Sequence, residues 1–572
     1  MKKIQQLIIV IAALVGFAGC DKSFLERKPQ GQLTDDQLGN RKAVEWMLIG
    51  AYGSLNGNRN GTWGNYASAP SQWLFGDVAA DNAHKGSSSG DQAAMSEIEL
   101  HTPVATNEHL TTMWTNCYEG VIRCNATLKS LKALQEGDGS DKFTEDRAKE
   151  LEAEARLLRA HYYFFLWRVF VNVPYIDENT STADASKTPN DTDIYPKIIE
   201  DLVFANANLT TKPFGEVGRV DLLVAKSYLA KVYMYAKRFD EALPLLKDVI
   251  AARPSLVDIP FQNNFDVKTE NGPESIFAVQ HVINPDGAGD NANVGDMLSG
   301  FYGNAPANCC GFFQPSFDLA NAFRVTPEGL PMLDGSFRTN PYKSDMGLSG
   351  TAKDNYAVNQ SLPFDTRIDY TLGRRGVPYR DWGVMPGDAW IRDPAFGGPF
   401  VTYKQMIDQA DFPGNTQSGA NYVTSLNVNL IRLADVYLLA AECAAEADDL
   451  DYALARVNDV RNRAAKLPPR MINGTPAAAY KVSPYPAFPN KTYALDAIRF
   501  ERRLELALEG HRFFDLVRWG IFKEAIESYS AFEGSIINVY GGVTLTDRNR
   551  YFPIPQQEID RSSGALTQNS GY

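Results

Sequence analysis

Two pairs of amphipathic stripes, one in the first half and one near the end, constrain this chain more than any other feature. In the first pair Ala225, Leu229, Ala230 and Tyr233 form one stripe, and after a Lys237-Arg238 turn Phe239, Ala242, Leu246 and Ile250 form the next. In the second, Leu430, Leu433, Ala434, Tyr437, Leu438 and Ala441 are followed, after Asp448-Asp449, by Leu450, Ala453, Leu454, Val457 and Val460. Recurrence every three or four residues places each set on one face of a helix. Small alanines at the closest approach let each pair lie antiparallel, as in a tetratricopeptide repeat. The expected fold class is mainly α, built on tetratricopeptide-like repeats.

Between the pairs the texture changes. From 253 to 425 Gly, Pro and Asn are frequent, helical stripes vanish, and aromatics scatter among turn residues. That pattern predicts a long irregular insert of loops and short elements. A helical solenoid interrupted by such an insert is a binding architecture more than a compact catalytic one. The expected parts are a helical region over 35–252, the insert over 253–425, and a second helical pair with a C-terminal region over 426–572.

The N-terminus predicts export. Lys2 and Lys3 precede an apolar run from Leu7 to Phe17, and Ala18-Gly19-Cys20 follows, which is the layout of a secretory signal over 1–19. The run is shorter than the roughly 20 apolar residues that span a bilayer. A Cys directly after small residues is the pattern of a bacterial lipoprotein signal, with Cys20 acylated as the new N-terminus. Two or three acyl chains, at about 0.8 kcal/mol per buried methylene, hold a protein firmly to a membrane. Residues 20–34, with Pro29 and Gly31, read as a tether. The net charge of -13 becomes -15 once Lys2 and Lys3 leave (-13 minus 2). So acidic a surface argues against nucleic acid as a partner.

The cysteines do not form a disulfide scaffold. Cys117 and Cys124 are seven apart in a helical stretch, roughly 10 Å at 1.5 Å per residue, beyond bridging distance. Adjacent Cys309 and Cys310 could form a vicinal bridge, but two free thiols are the expectation.

Ile498 to Gly520 reads IRFERRLELALEGHRFFDLVRWG, and the chain closes with Tyr551-Phe552-Pro553-Ile554-Pro555, Glu558-Ile559 and Leu566 to Tyr572. Leu433 to Leu439 with Glu442, Asp365-Thr366-Arg367, Phe24-Leu25-Glu26 with Pro29, and Trp114 to Asn125 stand in the same order along the chain. Together these resemble the SusD-like (RagB/SusD) family of outer-membrane nutrient-binding lipoproteins. The resemblance implies the SusD-like fold and a lipid-anchored protein on the cell surface. It also implies capture of an oligosaccharide and its delivery to a SusC-like TonB-dependent transporter. A tetratricopeptide docking scaffold, a peptide-capturing relative and a surface glycoside hydrolase are the alternatives.

Read from its residues, the C-terminal motif is structural. Arg502–Glu505, Glu509–Arg512 and Asp515–Arg518 stand at i,i+3 spacing and are expected to neutralise one another. Nearby Arg lowers a carboxyl pKa, whereas a general acid needs it raised. The six His are scattered, and no HExxH, P-loop or GxSxG is present. No catalytic residue, metal or cofactor is expected.

Sugar rings present an apolar C–H face and a rim of hydroxyls, so aromatics that stack and polar groups that reach the rim make a site. Two stretches offer these. One is Trp73 to His84, with Asp77, Asp81 and Asn82 beside Trp73; the other is the insert, with Tyr302, Phe312, Trp382 and Trp390 among Gly and Pro.

Overall fold

The computed structural model describes residues 39–57, 65–211, 216–358 and 361–572. The expected signal over 1–19, Cys20 and the tether lie outside the described residues. No helix among the described residues is long and apolar enough to cross a membrane.

The N-terminal part is a helical stack: α1 (Arg41–Gly53), α2 (Glu108–Glu136), α3 (Glu145–Phe170) and α4 (Tyr195–Asn208). Asn40, Asn107 and Thr144 cap the first three, each side chain accepting from a backbone N–H of the first turn. The two predicted hairpins follow as α5 (Leu222–Tyr235) with α6 (Phe239–Ala251), and α7 (Leu433–Glu446) with α8 (Leu450–Ala465). Each turns on a residue in the left-handed region, Lys237 at φ 57° and Asp448 at φ 60°. α6 packs on α7, so hairpins far apart in sequence stack side by side. The fold is mainly α, as the stripes predict.

Four short strands fix the insert: β1 (Ala83–Gly86), β2 (Ser275–Val279), β3 (Phe312–Pro315) and β4 (Val428–Arg432). β2 pairs antiparallel with β4, Ser275 opposite Arg432 and Val279 opposite Val428. The chain therefore enters and leaves the insert along one two-stranded ladder. β1 pairs antiparallel with β3, Ala83 opposite Pro315 and Gly86 opposite Phe312. That ladder joins the Trp73–His84 stretch to the insert.

The insert carries an aromatic core of its own. Phe301, Tyr379, Trp382 and Trp390 approach one another at ring-centre distances of 5.4 to 5.7 Å. Trp390 is buried and Trp382 half-buried. Cys117, Cys124 and Cys443 are buried free thiols. Cys309 and Cys310 are joined in a vicinal disulfide, which corrects the expectation of two thiols.

The C-terminal motif divides into α9 (Lys491–Glu505), α10 (Arg512–Trp519) and α11 (Phe522–Glu533). The break lies at Leu508 and Gly510, both at positive φ (64° and 76°). A Cβ on Gly510 would stand 2.0 Å from the Ser71 carbonyl oxygen, so only glycine fits that approach. Two of the three expected i,i+3 pairs do not form: Arg502 turns to Asp435 and Asp515 instead of Glu505, and the break separates Glu509 from Arg512. Glu505 turns to Arg367 and Arg432, and Arg512 turns to Asp81; Asp515–Arg518 alone pairs as spaced, at 2.8 Å.

Candidate functional site

The Trp73–His84 stretch is docked on the C-terminal motif rather than open to solvent. The Trp73 ring is buried and its Nε1 donates to the Gly295 carbonyl at 3.1 Å. Asp77 accepts from the Gly510 amide at 2.6 Å and from Asn82 Nδ2 at 2.9 Å. Burial lifts the Asp77 carboxyl to about 6. Asp81 is buried between Arg503 and Arg512, whose charges hold it well below the usual carboxylate range against the opposing effect of burial. Asn82 accepts from Arg503 Nε at 3.1 Å. All four expected contacts in this stretch are thus buried and engaged by the protein: Asp81 and Asn82 by arginines of the C-terminal motif, Asp77 by the Gly510 amide and Trp73 by the Gly295 carbonyl. His84 closes the stretch. It lies between Glu99 (3.1 Å) and Glu533 (2.7 Å), and these two hydrogen-bonded carboxylates outweigh burial and raise it to about 9.

The remaining motif charges form one buried network. Arg367 meets Asp365 at 2.7 Å, Glu501 at 2.7 Å and Glu505 at 2.9 Å. Arg432 meets Glu505 at 2.6 Å and Glu509 at 2.7 Å. Its arginines hold the Glu505 carboxyl far below its ordinary value although burial opposes this. Carboxylates so held cannot donate a proton, so the network is scaffolding.

The insert places its aromatics differently. Phe312 is buried on β3, with Lys85 Nζ 5.3 Å from its ring centre. Trp382 donates from Nε1 to the Ile407 carbonyl at 3.1 Å and packs edge-on against Phe412. Trp382 and Trp390, expected as ligand contacts, floor the loops above them, because irregular backbone needs a dense apolar base. Tyr302 is the insert aromatic that stands out, 41% exposed. Its amide donates to the Trp390 carbonyl at 3.2 Å, which sets it directly over the aromatic core.

Polar groups surround that ring. The Arg392 guanidinium lies 5.5 Å from the Tyr302 ring centre. Arg392 also donates to Ser87 Oγ at 2.9 Å and pairs with Asp91. Lys85 Nζ fixes the Ser87–Asp91 turn by donating to the carbonyls of Ser88 (2.8 Å) and Asp91 (2.6 Å). Burial, with Asp91 and Tyr422 nearby, pushes the Tyr66 phenol up to about 12. Tyr302, Arg392, Asp91 and Tyr422 thus form a ledge over the aromatic core. Arg392, Asp91 and Tyr422 were missed from sequence: the residues come from three distant segments, and no local spacing signals them.

Two open clefts of about 340 Å³ lie elsewhere. One is lined by Phe337, Phe500 and four arginines, three of which, Arg338, Arg503 and Arg512, are held by Asp318 and Asp81. The other runs between Ile49 of α1 and Val217, and is mostly apolar.

Comparison with known proteins agrees with this architecture. The model of the SusD family matches residues 273–572. The chain belongs to the SusD family. A second family model, described as starch-binding associating with outer membrane, matches residues 23–234. The chain is similar to SusD-like protein P25 of Formosa agariphila, 23% identical over 538 residues and covering 92% of each chain. Among solved structures it resembles a laminarin-binding SusD-like protein (TM-score 0.63, 24% identity, 93% of this chain and 100% of that one). It also resembles surface glycan-binding protein A from Bacteroides thetaiotaomicron, solved with laminarihexaose (TM-score 0.62, 20% identity, 92% and 99%). These likenesses establish a shared fold.

Proposed function

We propose that this SusD-family protein is a non-catalytic, lipid-anchored glycan-binding protein of the cell surface that passes oligosaccharide to a SusC-like TonB-dependent transporter. The observation that carries the reading is the exposed Tyr302 ring over the Trp382–Trp390 floor, with Arg392 and Asp91 at its edge. The ring offers a face for sugar C–H groups, and the ion pair offers donors and acceptors for hydroxyls. The laminarin and laminarihexaose ligands of structural relatives support a glucan as the class to try first. Asp91 is ion-paired to Arg392, whereas glycoside cleavage takes a facing pair of carboxyl groups. Acylation at Cys20 would tether the protein at the outer membrane. Exposed Trp46 and Ile49 of α1 and Ile122 of α2, two helices packed on each other, support a protein-docking face there.

Calorimetric titration with soluble oligosaccharides, followed by product analysis, tests the reading. Binding without cleavage is expected, with affinity lost in Tyr302→Ala. Cleavage of any sugar, or no heat from any of them, would overturn it. Affinity capture from detergent-solubilised outer membranes should recover a large β-barrel partner, and its absence would refute the transporter pairing.

A further inference from the structure

We propose that the Cys309–Cys310 disulfide is itself part of the ligand-contacting surface, a sulfur plate beside Tyr302 that also fixes the loop carrying that ring. The inference rests on the glycan reading above and adds a contact which that reading does not contain.

The loop from Gly300 to Gly311 folds back on itself. The Phe301 amide donates to the Ala307 carbonyl at 3.1 Å, and the Cys309 amide to the Phe301 carbonyl at 2.7 Å. The Gly300 carbonyl accepts from both Cys310 (3.1 Å) and Gly311 (2.7 Å). Tyr302 is therefore held in a closed hairpin-like turn whose far side is the disulfide.

The disulfide lies next to the ledge, since the Cys309 amide bonds to the residue before Tyr302. Cys309 and Cys310 are half-exposed, whereas Cys117, Cys124 and Cys443 are buried. A Cβ placed on Gly300 would stand 3.0 Å from Cys309 Cβ and 2.6 Å from Tyr422 Cβ, so Gly300 packs closely between those two residues. A Cβ on Gly311 would stand 3.4 Å from Tyr302 Cβ and 3.6 Å from Arg392 Cβ. Gly300 thus brings Cys309 near Tyr422, and Gly311, next in sequence after Cys310, lies against Tyr302 and Arg392. Divalent sulfur is polarizable and apolar, suited to the C–H face of a sugar as it is to aromatic edges. The covalent closure removes loop freedom before the ligand arrives, which favours binding through pre-organisation.

Differential alkylation tests the bond first. In chain purified without reductant and then denatured, iodoacetamide should label Cys117, Cys124 and Cys443. The peptide bearing Cys309 and Cys310 should be labelled only after treatment with a water-soluble phosphine, which supplies two electrons, leaves as its oxide with oxygen from water, and yields two thiols. Labelling before reduction would overturn the proposal. Titration with laminarihexaose and maltohexaose then compares the oxidised chain, the reduced chain, C309S/C310S and Tyr302→Ala. Reduction or C309S/C310S should weaken binding about tenfold, with far-ultraviolet circular dichroism unchanged. Bound oligosaccharide should slow phosphine reduction of the folded chain several-fold, an effect that a disulfide remote from the sugar would not show. If Tyr302→Ala abolishes binding while reduction changes neither affinity nor its own rate, this inference alone falls. If Tyr302→Ala binds as the parent does, or no sugar binds at all, the ledge reading falls and the inference with it.

Discussion

Raising the pH should unfasten the β1 region through His84, and the size of the effect follows from its surroundings. The imidazole is fully buried between Glu99 and Glu533, with the Tyr540 ring stacked on it at 4.0 Å and the Tyr529 hydroxyl at 3.3 Å. Glu533 also accepts from the amides of Phe317 (2.9 Å) and Asp318 (3.0 Å), so one carboxylate ties α11 to β1 and to the turn after β3. Against the lowering effect of burial, the hydrogen bonds that His84 donates to both carboxylates raise it from 6.5 to about 9. Between those values the folded protein holds a proton that the unfolded chain has released. The contribution is therefore complete below about pH 6.5 and is lost as pH climbs through 9, amounting to about 3 kcal/mol. Lys85 works in the opposite sense: burial lowers it from 10.5 to about 8, so its share of stability rises as pH climbs above 8. Urea unfolding of the parent and of His84→Gln, at several values from about pH 6 to about pH 10, separates the two. Near pH 6 the variant should be destabilised by about 3–5 kcal/mol, since it leaves two buried carboxylates without their cation. That deficit should shrink by about 3 kcal/mol toward pH 10. Parallel curves for the two proteins would refute the assignment of a buried, charged His84.

Asp81→Asn should cost about 3–5 kcal/mol by leaving Arg503 and Arg512 short of their carboxylate, read as a lower urea midpoint. Trp390→Ala removes a buried floor ring and should cost about 3–5 kcal/mol in the same assay. Tyr302→Ala, at an exposed position, should leave the midpoint within about 0.5 kcal/mol of the parent while abolishing measurable glycan heat. Arg392→Ala should weaken glycan binding about tenfold without unfolding the chain, because its partners Ser87 and Asp91 stay fixed by Lys85.

The helical frame was legible because periodicity reports burial on one face, and the stripes at Ala225–Ile250 and Leu430–Val460 became the hairpins α5–α6 and α7–α8. The C-terminal motif was legible as family and as scaffolding, but its pairing was not. Spacing alone could not report that positive φ at Leu508 and Gly510 ends the helix and sends Glu505, Glu509 and Arg512 to partners elsewhere. The site was legible in part. Tyr302 stood out among turn residues, whereas Asp77 and Asp81 turned inward to the Gly510 amide and to Arg503 and Arg512, groups contributed from the far end of the chain. Arg392, Asp91 and Tyr422 carry no local signature, since the ledge exists only once β1 and β3 have paired.

Residues near the end of the sequence knot the beginning in place. The Phe552 amide donates to the Val169 carbonyl at 2.8 Å, and Asn569 Nδ2 donates to the carbonyls of Phe170 (2.6 Å) and Phe552 (2.8 Å). Arg503 reaches Asp81, and Glu533 reaches His84, across more than four hundred positions. During synthesis the ribosome would release α3 and β1 long before these partners exist. Contacts so distant in order are closed late and slowly. Until its last segments arrive, the first half of a nascent chain is therefore held by its own helical contacts alone.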